Sequence, residues 1–192
     1  MPRAVIDILT RRRALWITPF AFAGLVALSS RKSEHADDSA AADVTIADFD
    51  DAGKPTGVAQ LKRIVHTDGE WRKQLSADQF YVTRKGSTDL PFSGTYYRRH
   101  EPGVFRCVCC GTALFSSDAK FDSGTGWPSF WAPIAPENIR RHEDRSLFLE
   151  RVEVVCTRCG AHLGHVFDDG PEPTHLRYCI NESSLRFVPR HP

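Results

Sequence analysis

A chain of 192 residues with 41% hydrophobic side chains carries enough apolar material for one domain with a normal core, plus some additional chain. Its net charge of +1 is uneven: residues 1–42 hold six Lys/Arg against four Asp/Glu, and residues 43–192 hold nineteen against twenty. The near-neutral larger part argues against nucleic acid as a partner.

The first stretch reads as an address. Thr10-Arg11-Arg12-Arg13 precedes an apolar run from Ala14 to Leu28, and a charged region followed by a hydrophobic one predicts an export signal over residues 1–30. The run is short for a membrane span and contains Pro19. The paired arginines point to the twin-arginine route and so to a bacterial periplasm. The alternative is an uncleaved segment that anchors the protein in the inner membrane, facing the periplasm. Residues 31–42, polar and rich in Ala, Ser and Asp, are expected to form a flexible tether. The folded domain is expected over 43–192.

At Asp43 the pattern changes. Val44, Ile46 and Phe49 lead into the turn-rich Asp50 to Pro55, and Val58 to Val65 follows, which predicts two strands joined by a loop. Thr67 with Glu70, and Ser76 with Gln79, each match a capping box and predict two short helices, with Trp71, Leu75 and Phe80 facing inward. Beyond Pro91 short apolar runs at 104–105, 113–115, 147–155, 166–167, 176–180 and 185–188 alternate with Gly, Pro and Asp. Short strands between turn signals predict a mainly β, antiparallel domain.

Six cysteines lie at 107, 109, 110, 156, 159 and 179, and the first five form two tight clusters. Cys107-Val108-Cys109-Cys110-Gly111 and Cys156-Thr157-Arg158-Cys159-Gly160 share the form C-x-x-C-G. Two intervening residues let both sulfurs turn onto one ion, and the glycine lets the backbone fold beneath it. Cys107, Cys110, Cys156 and Cys159 would then make the closed tetrahedral set of one structural zinc. Three disulfides are a rival arrangement and a thioredoxin-like redox pair another. Disulfide-dense scaffolds are typically smaller, and no βαβ pattern surrounds either motif. Cys109 remains an odd thiol that could pair, titrate or pack.

Cys179 stands outside this set. In an extended segment Arg177, Cys179 and Asn181 share one face, so the thiol sits between a cation and an amide. A neighbouring guanidinium favours the thiolate, the nucleophilic form. An ordinary strand with a buried thiol fits the same five residues. His162 and His165, with Gly164 between them, could support that thiolate and protonate a leaving oxygen, or could be a second metal pair or packed core residues. Upstream, the run from Phe121 to Trp131 gathers Trp127, Phe130 and Trp131 in a Gly/Pro-rich turn, either closing a core or exposing an apolar wall suited to a methyl group.

These motifs together resemble the type B methionine sulfoxide reductases. The likeness is carried by residues 101–111, by Gly126-Trp127-Pro128-Ser129-Phe130, by Cys159-Gly160-Ala161-His162-Leu163-Gly164-His165 and by Arg177-Tyr178-Cys179-Ile180-Asn181. It covers residues 67–192 well, the 43–66 hairpin less clearly, and the export segment not at all. The resemblance implies two antiparallel sheets with short N-terminal helices, a structural zinc on the paired cysteines, and reduction of methionine-R-sulfoxide, free or in oxidised proteins. By matching position, Cys179 would attack the sulfoxide sulfur and become a sulfenic acid. His162, His165 and Asn181 would hold and protonate the oxygen, Arg177 would favour the thiolate, and Trp127 would receive the methyl group. The reductant would be a small thiol or a thioredoxin-like protein, and the enzyme is expected to act as a monomer in oxidative damage repair.

Two positions depart from the family's pattern. Thr125 stands where many members carry a resolving cysteine, so the sulfenic acid passes to an external thiol or to Cys109; the external thiol is the expectation. Glu182 replaces a small polar residue, with only a local effect on charge expected. Outside the reductases, the same features fit a zinc-clamped module that binds an apolar side chain without turnover, or a peroxide-reducing thiolate. Cys179 with Asn181 and the two histidines favours the reductase.

Overall fold

The structure, a computed structural model, describes residues 42–144 and 150–190. The export segment, all but the last residue of the tether, and the first three residues of the apolar run at 147–155 lie outside the described residues.

Eleven strands and two helices are described. A hairpin of β1 (Asp43–Phe49) and β2 (Pro55–Lys62) comes first. Helices α1 (Asp68–Gln74) and α2 (Ala77–Lys85) follow. Then come β3 (Gly103–Cys107), β4 (Ala113–Ser116), β5 (Lys120–Phe121) and β6 (Ser129–Phe130). The last five are β7 (Ile139–Asp144), β8 (Arg151–Cys156), β9 (His162–Phe167), β10 (Arg177–Ile180) and β11 (Leu185–Pro189). All pairings are antiparallel, as expected.

Among the described residues the two expected antiparallel sheets are a six-stranded one ordered β5-β6-β10-β9-β8-β7 and a three-stranded one ordered β11-β3-β4, and the β1-β2 hairpin stands by itself as a third. Side chains, not strand pairing, join the hairpin to the rest: Arg106 on β3 donates to the carbonyls of Phe49 and Asp50 at 2.8 and 3.0 Å, and Asn138 holds β1 at Ala47. The fully buried Asn138 accepts from the Ala47 N–H at 2.9 Å and donates to the carbonyls of Ala47 and Ala113, both at 2.8 Å. A buried amide must find such partners or cost about 1–3 kcal/mol.

Both capping boxes form. Thr67 accepts from the Glu70 N–H while Glu70 accepts from the Thr67 N–H at 2.7 Å; Ser76 and Gln79 exchange the same pair of bonds. Trp71, Leu75 and Phe80 are buried as predicted. The main core is aromatic: Phe115 stacks on Phe130 at 4.4 Å, and Phe105 and Tyr178 meet the same pair edge-on or tilted. Phe105 and Phe115 come from the three-stranded sheet, and Phe130 and Tyr178 from the six-stranded one, so these rings are the contact between layers.

β7, with the sequence Ile-Arg-Arg-His-Glu-Asp, carries no apolar run and was not foreseen. As an edge strand of the six-stranded sheet it has one covered side at most, and a charged edge discourages further pairing.

Candidate active site and metal centre

Each C-x-x-C-G segment closes in the same way. The Gly111 N–H bonds the Cys107 carbonyl at 2.9 Å and the Gly160 N–H bonds the Cys156 carbonyl at 2.8 Å. Both glycines adopt positive φ, 76° and 65°, which a side chain would oppose. The four sulfurs of Cys107, Cys110, Cys156 and Cys159 all lie within 4.8 Å of one another. Cys107–Cys159 and Cys110–Cys156 are 3.7 and 3.5 Å apart. A tetrahedral ion with metal–sulfur bonds of about 2.3 Å has sulfur–sulfur edges of about 3.8 Å, so the cluster has the size and donor chemistry to hold a metal ion. Hydrogen bonds among the crowded thiols hold Cys110 well below the usual thiol range and push Cys107 up. Cys109 belongs to this neighbourhood: bonds from Cys107 and Cys159, with Thr83 and Arg84 beyond, pull its thiol down to about 3.

Cys179 lies elsewhere, in the middle of the six-stranded sheet. Register places it opposite Ser129 on β6 and His165 on β9; His165 is in turn opposite Glu153 on β8, and Glu153 opposite His142 on β7. Cross-strand partners share a face, with Cβ atoms about 4.5–5.5 Å apart. One polar row thus crosses the sheet through the thiol, while Tyr178 and Ile180 point the other way into the core. The Thr125 hydroxyl is 3.9 Å from the Cys179 sulfur. Arg177 forks onto Asp169 with two bonds of 2.8 Å and lies over the Phe167 ring. The Arg177 guanidinium and the Thr125 hydroxyl favour the thiolate, but burial outweighs them together, and the Cys179 thiol is pushed up. Unliganded, the sulfur rests protonated at neutral pH.

The two histidines meet through a break in the strand. Strict alternation would put residues three apart on opposite faces. Between Val154 and Val155 on β8 the register slips, so that Val154 faces Gly164 and Val155 faces His162, leaving Leu163 as the extra residue of a bulge. The imidazoles consequently stand edge to face with centroids 5.4 Å apart. Gly164 is required here, since a Cβ would overlap the carbonyl oxygen of Cys179 on the neighbouring strand. His162 Nδ1 is 2.6 Å from Glu153, and both side chains are buried; the buried Nε2 has no hydrogen-bond partner among the described residues. His165 Nε2 is 2.9 Å from Asp144, which also takes Arg151 at 2.8 Å. Burial pushes the His165 pKa down, with Asp144 opposing.

Trp127 and Asn181 are joined by Asp89. The indole N–H donates to the Asp89 carbonyl at 3.0 Å, the Asp89 N–H donates to Asn181 Oδ1 at 2.9 Å, and the Asp89 carboxylate accepts from the Ser183 N–H at 2.9 Å. Asn181 also donates to the Leu163 carbonyl at 3.2 Å, so both ends of its buried amide are engaged with backbone. Glu182 does more than alter local charge: it accepts from the N–H groups of Thr95 and Tyr96 at 2.7 and 2.6 Å, fixing a turn far away in sequence.

A family model described as the SelR domain matches residues 75–189. The chain belongs to the SelR family. Its relatives include the peptide methionine sulfoxide reductase MsrB of Herminiimonas arsenicoxydans, 54% identical over 126 residues, which are 66% of this chain and 92% of that protein. The protein of the same name from Hahella chejuensis is 54% identical over 127 residues, 66% and 91% of the two chains. That of Pseudomonas aeruginosa strain UCBPP-PA14 is 56% identical over 120 residues, 62% and 91%. The type B methionine sulfoxide reductases, named by resemblance from the motifs, are thus its family.

For this SelR-family chain the residues that sequence reading passed over are Glu153, Asp144, Asp89 and the hydroxyls around Thr125. Asp144 and Asp89 sit in polar stretches without a recognisable motif, and Ser123 and Ser129 lie in the run from Phe121 to Trp131, where the aromatic residues drew the reading. Glu153 offered one signal: an acid between valines in Arg151-Val152-Glu153-Val154-Val155, where alternation puts it on the face opposite Val152 and Val154.

Proposed function

We propose that this chain reduces the R diastereomer of methionine sulfoxide, free or in oxidised proteins, with Cys179 as the nucleophile. Besides family membership, the observation that carries this reading is the row in which Cys179 faces His165 on β9, beside a loop whose Thr125 reaches the sulfur and whose Trp127 lies two residues on. In the proposed reaction the Cys179 sulfur attacks the sulfoxide sulfur, which gains two electrons as the cysteine loses two. The oxygen leaves the substrate with protons managed by His162 and His165, and the products are methionine and a sulfenic acid on Cys179. Two equivalents of external thiol, from a small thiol or a thioredoxin-like protein, then give water, a disulfide and the free Cys179 thiol. Cys109 is the less favoured donor, because its thiol is engaged with the metal-site cysteines.

His162 carries the main acid–base role in this scheme: Glu153 holds Nδ1 and leaves Nε2 to exchange protons. Asn181 acts as a positioning residue through Asp89 rather than as a proton donor, and Trp127 forms the methyl wall. The ion on Cys107, Cys110, Cys156 and Cys159 is zinc, which four thiolates in a closed tetrahedron select; its contribution is structural. Export by the twin-arginine route to the periplasm, already folded and metal-loaded, completes the proposal. Replacing Arg11, Arg12 and Arg13 by Lys should retain the protein inside the cell, and unchanged export would reject that part.

The test of the activity is incubation of the purified protein with racemic methionine sulfoxide and dithiothreitol, each diastereomer followed by chiral chromatography. Consumption of the R form alone supports the proposal. Consumption of neither by metal-loaded protein rejects it.

A further inference from the structure

Three hydroxyls run in a row from the Cys179 sulfur. Thr125 Oγ1 is 3.9 Å from Sγ, Ser123 Oγ is 2.8 Å from Thr125 Oγ1, and Ser129 Oγ is 2.7 Å from Ser123 Oγ. The row ends on the Trp127 carbonyl, to which the Ser129 hydroxyl donates at 3.2 Å. Each hydroxyl has one proton to give, and that arithmetic fixes the direction of the row. Ser129 gives its proton to the carbonyl, so Ser123 must give to Ser129, Thr125 to Ser123, and the Cys179 thiol to Thr125. Every proton has an acceptor when the sulfur is neutral.

A thiolate has no proton to give and demands one. Thr125 can then turn its O–H to the sulfur, but two oxygens 2.8 Å apart with no proton between them repel. Ser123 must turn toward Thr125, Ser129 toward Ser123, and the Trp127 carbonyl loses its donor. We propose that Thr125, Ser123 and Ser129 form a reversible hydrogen-bond relay whose direction follows the charge on the Cys179 sulfur, making Thr125 a positioning residue that stabilises the thiolate. The relay conducts no net proton, since a carbonyl closes it; only hydroxyl rotors turn. The thiol proton leaves to the substrate oxygen in turnover, or to solvent base without substrate. This deepens the reading of Cys179 as nucleophile, and gives a role to the residue where other members of the family carry a second cysteine.

Two substitutions should act in opposite directions. Thr125→Val keeps the shape but removes the donor to the thiolate, and hydrogen bonds to charged groups are roughly twice as strong as neutral ones. Ser123→Ala leaves Thr125 able to turn to the sulfur while Ser129 stays on the Trp127 carbonyl, so the thiolate no longer costs that carbonyl its donor. The titratable and charged groups around Cys179 are Arg177 on its own strand with Asp169, and His165 on β9 with His162 and Asp144 behind it; neither substitution touches them.

The experiment is the pH dependence of iodoacetamide labelling at Cys179, located by peptide mass spectrometry in metal-loaded full-length protein, a readout independent of turnover. Thr125→Val should move the labelling profile up by about one pH unit, about tenfold slower labelling at a pH below the midpoint. Thr125→Ser should restore the original profile, and Ser123→Ala should move it down. An unshifted Thr125→Val profile overturns the proposal, as does an equal shift in Thr125→Ser. A Ser123→Ala profile that stays put or moves up overturns the relay. Loss of labelling at Cys179 in the unsubstituted protein would instead count against the nucleophile assignment itself.

Discussion

Glu153 is a carboxylate with 8% exposure, a costly placement unless it is paired. His162 at 2.6 Å meets that need, and in return the acid fixes which ring nitrogen holds a proton. Glu153→Gln keeps the volume and removes the carboxylate that holds His162 Nδ1 at 2.6 Å. We expect kcat for R-sulfoxide reduction to fall by about tenfold or more, a part of the roughly 10²–10⁴-fold that general acid–base catalysis supplies, with KM little changed; steady-state kinetics reads both. His165 supplies a different test. Burial lowers its folded pKa below the unfolded value of about 6.5, so its contribution to stability is complete above that value and is lost as pH falls toward the folded pKa. His165→Asn should therefore flatten the fall of Tm on acidification below about pH 6.5, measured by thermal unfolding across a pH series. At this scale the sequence was readable where partners are near: Thr67 with Glu70 and Ser76 with Gln79 announced their bonds three residues away. Glu153, Asp144 and Asp89 were not, because their partners lie 9, 21 and 92 residues off, and a polar side chain says nothing about which distant strand it will meet.

The bulge in β9 governs how the elements serve the site. Two histidines three apart were visible, but their meeting depended on a register slip that no single-residue pattern encodes. Gly164 is the trace of it in the sequence. Gly164→Ala would drive a methyl into the backbone of β10 at Cys179, and backbone cannot step aside as a flexible side chain can. Overpacking of this kind costs about 1–3 kcal/mol; Tm should fall and reductase activity should drop further than stability alone accounts for, since the strand displaced is the one bearing the nucleophile. Thermal unfolding and activity on the same sample separate the two effects. β7 was unreadable for a related reason: an edge strand with one covered face needs little apolar content, so its charges looked like loop. The hairpin itself was legible, but not that it would stand apart as a third sheet, because side chains, Asn138 and Arg106, attach it rather than strand pairing.

Across the whole molecule the four-cysteine cluster joins the two principal sheets. Cys107 ends β3 of the three-stranded sheet and Cys156 ends β8 of the six-stranded one, so an ion held there would crosslink the layers that the Phe105, Phe115, Phe130 and Tyr178 rings already join. Without an ion, four sulfurs within 4.8 Å of one another would have no partner but each other. Treatment with a strong chelator should lower Tm by tens of degrees or abolish cooperative unfolding, as expected where metal binding is part of folding free energy. Restoring one equivalent of zinc should recover the transition. The knuckles were the most legible feature of the chain because both halves of each are local and repeat in form; which sheets they tie together was not.

Asp89 has a consequence for handedness. A sulfoxide sulfur is a stereocentre, and telling one mirror image from the other takes three fixed points. In the proposed reaction these are the methyl wall at Trp127, the sulfur of Cys179 and the proton donors on β9, which belong to three separate stretches of chain. Asp89 ties the indole, through its carbonyl, to the residue two beyond the nucleophile, through its N–H. Both bonds use main-chain atoms, so substitution at position 89 leaves them formally possible while loosening the carboxylate's grip on Ser183. Chiral selectivity is then a property of how stiffly this frame is braced, and Asp89→Ala should erode the preference for the R form before it erodes the rate.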